Sequence, residues 1–441
     1  MKLTFLSKSR GIRNIFSRIF TVASRFGFSP RRFENRLMKY VEITRKANYF
    51  PTFAITAKIL ARHPEYIKEL SRKGVEFAVH GYVHIDYQVL SAVEKKKHIE
   101  MAMDIFKEYG IPFEGFRAPF LRVNKNTTPL LSQLGFAYHS SRVLNWPVID
   151  LKNFSVYARD NHRLLMEFCT PLDALKYLSL PKFENGLVEI PVSLPDDETI
   201  IERLGIYDEN RISEIWLEML RRIYNTGELF ILSLHPERIE HCEKALTDVL
   251  NKAREFQPSV WVATMKEIAK WWKERAGFNL TVAPLSTGKY SVHGECSDRS
   301  TLIIKNACVN VPVEDWFDGY QIVNGRNFIF ESPKRPIIGV SSSSSPAAVN
   351  FLKNEGYVVE ISDTPGDYCI YFDDLNRITE ADEKALAYRI DQSGAPLLRF
   401  WRWPDRARSA LSITGDIDSL TIFDFVLRII ENFQASAHKE K

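Results

Sequence analysis

Four short segments of this 441-residue chain hold residues whose types and spacing can do chemistry. The first is Val79-His80-Gly81-Tyr82-Val83-His84. Two imidazoles four residues apart would share one face of a helix and could grip one divalent metal. Here the preceding run Gly74 to Val79 alternates and contains two valines, which predicts a strand followed by a loop, with Gly81 allowing the turn that lets both rings converge. Taken alone, the pair fits a metal site and two unrelated loop histidines equally well. The second segment, Gly115-Phe116-Arg117-Ala118-Pro119-Phe120, sets an arginine at a strand end before a proline, a place from which it can hold a carboxylate by two hydrogen bonds. The third puts His235 after the apolar strand Leu229 to Leu234, poised for acid or base work near neutral pH. In the fourth, Leu411-Ser412-Ile413-Thr414-Gly415-Asp416-Ile417-Asp418, two carboxylates stand two apart and so share one strand face.

Each has a plain structural alternative: a surface arginine, a hydrogen-bonded core histidine, and an N-cap for a helix over residues 420–432. Together they make one set, with two His and Asp418 as metal ligands, Asp416 as a second carboxylate, Arg117 and a third imidazole.

The elements that must position them alternate. Residues 33, 37, 38, 41 and 43 recur at helical spacing from Pro30; then come strand Thr52 to Thr56, helix Pro64 to Lys73, and the histidine strand. A charged helix from Ser91 to Tyr109 ends at Gly110 and Pro112, followed by strand Phe113 to Phe120, helix Thr128 to Leu134 and strand Phe136 to Tyr138. Such alternation predicts parallel strands with helices outside. Long loops are expected between Asn145 and Asn185. The pattern returns with Leu187 to Pro191, the helix Ile212 to Tyr224, the strand before His235, and a helix Met265 to Glu274. Residues 1–275 thus read as one unit of the size of a β/α barrel. Residues 276–335 read as a small antiparallel β-module, from short alternating runs divided by Gly, Asn and Asp. Residues 336–441 read as an α/β unit ending in the Thr414-Gly415-Asp416-Ile417-Asp418 run. Its serine run, Ser341 to Ser345, lacks the glycines and lysine of a phosphate loop and suits a capped helix start better.

Hydrophobic content of 45% and charged content of 26% suit a large packed core. The balance of 59 basic and 55 acidic residues argues against nucleic acid as a partner. Five scattered cysteines without a CxxC pair fit neither a disulfide framework nor a structural zinc site, and point to a reducing, cytoplasmic compartment. No apolar run is long enough to cross a bilayer. Lys2 to Phe26 interleaves six cations with Phe16, Ile19, Phe20 and Val22; the arginines interrupt any signal-peptide centre, and such a segment can either lie on a membrane surface or pack on its own domain.

The set of motifs resembles the polysaccharide deacetylase family, which includes the nodulation-factor and chitin deacetylases of carbohydrate esterase family four. The resemblance covers about residues 30–275 and 409–420. It rests on His80-Gly81-Tyr82-Val83-His84 as H-x-x-x-H, Arg117-Ala118-Pro119-Phe120 as R-x-P-[YF], Leu234-His235-Pro236 as L-x-H, and Thr414 to Asp418 as the acidic motif. The first three keep the family's order. The acidic motif does not: the family has it on the first strand, whereas Leu3-Thr4-Phe5-Leu6-Ser7 contains no carboxylate.

The resemblance implies a distorted β/α barrel whose site is circularly permuted, the strand near the C-terminus returning to complete it. A swap between two copies would serve equally and would make a homo-oligomer. It further implies that His80, His84 and Asp418 hold a divalent metal, zinc being the expected ion, that Asp416 is the base oriented by Arg117, and that His235 protonates the departing amine. Tyr82, Pro119 and Phe120 would line the substrate, an N-acetylated sugar or glycan. The family's further aspartate- and tryptophan-bearing motif, which tunes the acid histidine, is not assignable from the sequence. Two rivals remain: hydrolysis of a small non-sugar amide, as in the allantoinase-like branch, and a glycan-binding pseudoenzyme in which the Asp pair only caps a helix.

Overall fold

The computed structural model describes residues 29–437; the basic segment Lys2 to Phe26 lies outside them. The large sheet contains strands β1 (Thr52–Ile55), β2 (Glu76–Val79), β3 (Gly115–Phe116), β4 (Tyr138–His139), β5 (Val143–Asn145), β6 (Leu172–Asp173), β7 (Lys182–Glu184), β8 (Leu187–Glu189), β9 (Val192–Leu194), β10 (Leu229–Ser233) and β11 (Val260–Val262). Its twelfth member is the last strand, Ser409–Ile417, which lies between β10 and β1 in the order β6-β5-β9-β10-last-β1-β2-β3-β4-β8-β7. All its pairings are parallel except that of β7 with β8, and helices separate most successive strands. This is a mixed α/β fold with a curled sheet, a distorted β/α barrel.

The permuted strand is central rather than peripheral. All nine of its residues are buried, as expected of a parallel strand covered on both faces. One edge pairs with β10 from Ala410 to Thr414; the other pairs with β11 at its start and with β1 from Thr414 to Ile417. Gly415 is required where this strand meets its neighbours, because a Cβ there would lie 2.3 Å from the Leu234 carbonyl oxygen and 3.0 Å from the Phe53 ring.

Alternation divides the sheet's residues between two cores. Phe53, Ile55, Phe77, Phe230, Leu232, Leu411 and Ile413 pack under helices such as Pro30–Lys46, Glu209–Thr226 and Ile239–Glu255. Ala54, Ala78 and Ala410 face the other way. Ala54 is in register with both Ala78 and Asp416, so Asp416 belongs to the face lined by small residues, where a carboxylate has room.

The segment expected to be long loops, Asn145 to Asn185, instead contains a helix, Val156–Cys169, with Ser155 accepting from the Ala158 N–H as its cap. Its charged, interrupted pattern concealed it. The strand expected over Phe113 to Phe120 pairs only at Gly115–Phe116, because Pro119 supplies no N–H and opens a short 3₁₀ turn.

Beyond Ala276 the strands Asn279–Ser286, Lys289–Glu295, Asn327–Glu331 and Cys308–Val309 form one four-stranded antiparallel sheet. A second contains Val313–Asp315, Tyr320–Val323 and Leu302–Lys305, completed by Leu397–Phe400 from further along the chain. Arg335–Val340, helix Pro346–Glu355 and Val359–Ile361 make the β-loop-α-β unit, with Ser345 capping the helix by accepting from the Ala348 N–H. Residues 336–441 are therefore shared among three sheets. Glu355, buried, accepts from Arg402 Nε at 3.0 Å and from Arg399, and Arg402 donates to the Thr226 carbonyl, which ties this unit to the barrel.

Candidate active site

Strand register assembles the site. Ile417, Ile55 and Val79 stand level, so Asp418 and His80, each the next residue, leave the sheet at one height. Phe116 is level with Val79, which brings Arg117 alongside. After His80 the chain turns through Gly81 at φ 83°, left-handed backbone that favours glycine, and returns His84 to the first ring at 5.2 Å between centroids. The side chains of His80, His84 and Asp418 offer ligand atoms all within 4.8 Å of one another.

Hydrogen bonds fix what each atom can do. His80 Nδ1 lies 2.8 Å from the Arg117 carbonyl oxygen, which can only accept, so Nδ1 carries the proton and Nε2 presents its lone pair. That Nε2 is buried without a hydrogen-bond partner, 3.5 Å from Asp418 Oδ1, which is itself buried and unpartnered. His84 Nε2 lies 3.2 Å from Asp418 Oδ2. Burial strips the His84 ring of its proton, lowering it to about 4, aided by Arg428 and His80 against the pull of Asp418. Burial alone would raise Asp418, but the neighbouring His84 ring and the Arg428 guanidinium hold it well below the ordinary carboxylate range. Two neutral imidazoles, one ionised carboxylate and two orphaned buried atoms are the donor set a divalent cation requires.

The second carboxylate is held apart from this group. Asp416 Oδ1 accepts from Arg117 Nη1 at 2.9 Å, and its other oxygen is 3.8 Å from His80 Nε2. Arg117, fully buried, is fixed on every side, donating through Nε to the Ser140 carbonyl and through Nη2 to Ser140 Oγ and Thr414 Oγ1. A buried arginine so satisfied is a rigid strut for the carboxylate it pairs with.

His235 follows β10, adjacent to the acidic strand, where the Leu234 N–H donates to the Thr414 carbonyl at 2.9 Å. Its ring bonds to none of the other five residues. Nδ1 donates to Asp197 Oδ1 at 2.9 Å, and the His235 backbone N–H and Arg238 Nη1 donate to Asp197 Oδ2. Burial opposes protonation of His235, yet the Asp197 charge outweighs it and raises the ring to about 10. Burial likewise works against Asp197, which His235 and Arg238 bring down to about 2. The raised group contributes stability fully below the free-imidazole pKa of about 6.5 and loses it as pH rises through about 10. The lowered one contributes above its free value and loses it as pH falls through about 2. Asp197→Asn is expected to drop the imidazole titration to or below the free value; NMR titration of the ring checks this, and an unmoved pKa would assign the shift elsewhere.

Asp197 went unread in the sequence. Its signal was Leu194-Pro195-Asp196-Asp197, a strand end followed by proline and charge, the same grammar as Arg117-Ala118-Pro119. A tryptophan takes part as well: Trp216 Nε1 donates to the Pro195 carbonyl at 3.2 Å. Arg428, also unread, donates to Asp418 Oδ2 at 2.8 Å from the helix Ile422–Ala437. That helix is capped by Thr421, whose Oγ1 accepts from the Asp424 N–H while Asp424 accepts from the Thr421 N–H, so Asp418 is not spent on capping.

Of the residues expected to line substrate, Phe120 lies edge-on to the His84 ring at 4.4 Å and Pro119 is buried beneath it. The Tyr82 ring sits instead against His98, with Lys58 Nζ 5.0 Å above it.

Residues 21–139 match the family model described as polysaccharide deacetylase. A peptidoglycan deacetylase-like protein of Gibberella zeae is 24% identical over 274 residues, covering 55% of this chain and 76% of the relative. A solved Mycobacterium smegmatis structure described as a polysaccharide deacetylase is 23% identical, covers 60% of this chain and 85% of its own, and has a TM-score of 0.44. The structure of Puue allantoinase is 20% identical, covering 54% and 72%, with a TM-score of 0.42. The chain belongs to the polysaccharide deacetylase family, and the matched segment includes His80, His84 and Arg117.

Proposed function

We propose that this protein is a metal-dependent hydrolase that removes an N-acetyl group from a sugar or glycan. The observation that carries the reading is the pair of buried, unpartnered atoms, His80 Nε2 and Asp418 Oδ1, facing each other beside His84 and next to an arginine-held carboxylate.

His80, His84 and Asp418 would hold the ion, with zinc favoured by the two imidazoles and one carboxylate. Such an ion, when bound, polarises an amide carbonyl and offsets negative charge that develops on its oxygen. Asp416 takes the proton from the attacking water at its Oδ2, because Oδ1 is committed to Arg117. Arg117 keeps that carboxylate aimed and ionised. His235, charged through neutral pH by Asp197, gives a proton to the leaving nitrogen so that the amine departs rather than its anion. Phe120 supplies an apolar wall over His84. The five cysteines, none of them in a disulfide, support a cytoplasmic setting.

The test is acetate release from N-acetylglucosamine oligosaccharides by wild-type protein, beside a panel of small cyclic amides, with metal content measured on the same samples. Release from the oligosaccharides by metal-loaded protein supports the reading. Turnover of the cyclic amides alone would replace the substrate class, and glycan binding without turnover in loaded protein would make the chain a binder.

A further inference from the structure

The last helix, Ile422–Ala437, is packed with its polar side inward. Asp424, buried, accepts from His63 Nε2 at 3.0 Å and lies 3.4 Å from Arg62; Glu431 pairs with Arg62; Arg428 reaches Asp418. Phe425 packs partly on the core. The outer side carries Phe423, Val426, Leu427 and Ile430, at positions i, i+3, i+4 and i+7, and these are 63%, 48%, 40% and 45% exposed. A helix on a water-soluble surface normally shows the opposite polarity. An outward apolar stripe marks a face built to be covered.

The chain enters at the same place. His63, which holds Asp424, caps the helix Pro64–Arg72, and three residues on Tyr66 donates to the Glu34 carbonyl in the first helix. Residues 1–28 therefore join the described chain near the last helix. They contain Lys2, Lys8, Arg10, Arg13, Arg18 and Arg25 among phenylalanines and isoleucines, and no acidic residue, although the whole chain has a net charge of only +4. Both features stand at the catalytic end of the barrel, since the last helix begins just after Asp418. Val93, 78% exposed, opens the helix that follows the histidine loop at that end.

We infer that this end of the barrel docks on an anionic lipid surface, with the outer face of the last helix seated among the acyl chains and the cationic segment on the headgroups. Apolar side chains beside concentrated positive charge are the chemistry of an interfacial helix. A second copy of the chain suits the face less well, because it would bring two cationic segments together. Resting on the deacetylase reading, the inference makes the substrate a lipid-anchored glycan, presented to the site at the surface that holds the protein.

The test is co-sedimentation of the full chain with phosphatidylcholine vesicles and with vesicles that also contain phosphatidylglycerol, using wild type and the double variant Phe423→Glu, Leu427→Glu. Wild type is expected to partition onto the anionic vesicles, less so as salt rises. The double variant is expected to bind about tenfold more weakly, with acetate release from soluble oligosaccharide unchanged. Absence of binding to anionic vesicles, or equal binding by the double variant, would overturn the inference. So would a wild-type dimer in sedimentation velocity that the double variant dissolves, which would hand the face to a second copy. Vesicle binding does not read the chemistry, and release from the soluble substrate does not read the surface, so either reading can fail alone.

Discussion

Asp416→Asn is expected to slow deacetylation by about a thousandfold, within the range lost when a positioned general base is removed, while the protein keeps its metal. Asparagine preserves the shape of the side chain but cannot take a proton from water. Metal retention follows from geometry: Asp416 lies outside the group formed by His80, His84 and Asp418. The substitution also leaves Arg117 as a buried charge without its partner, so some loss of stability accompanies the loss of rate. Thermal melting separates the two, and the rate is to be compared at a temperature where both proteins are folded. A variant that retains metal and most of its rate would remove Asp416 from the mechanism.

Asp418→Ala is expected to lose the metal and with it essentially all activity, with little effect on folding. One of three ligands disappears, and the two remaining imidazoles form an incomplete site. Folding is spared because Thr421 and Asp424 cap the following helix without help from Asp418. Elemental analysis after gel filtration, beside His80→Ala, checks it. If His80→Ala loses metal and Asp418→Ala keeps it, the last strand contributes no ligand and the proposed base, two residues earlier, falls with it. If neither variant nor wild type holds metal, the glycan-binding reading takes over.

Much of the barrel was legible because its signals are local. The apolar run Leu229 to Leu234, the capping sequence Ser91 to Glu94 and Gly81 between two imidazoles each specify backbone behaviour within a few residues. The displaced acidic motif was visible as well, since its chemistry survives transfer to another part of the chain. That it returns to its place between β10 and β1 within one chain required the register, in which Ala54 meets Asp416. Also hidden was the helix Ala57–Arg62, which is too short to establish a period. The pairing of Leu397–Phe400 with Leu302–Lys305 joins residues almost a hundred apart, and no local pattern announces such a partner. Asp197 escaped because its role depends on His235, a neighbour in space only.

Placing the acidic strand last in the chain has a consequence for synthesis. The facing edges of β1 and β10, and the partner edge of β11, are made well before residues 409–417 that join them. At ordinary translation speeds the barrel waits with these edges open for on the order of ten seconds. The nascent chain therefore has a window of exposure to mispairing and to chaperones, and its ligand set cannot be completed, nor any acetyl group attacked, before the polypeptide is nearly finished.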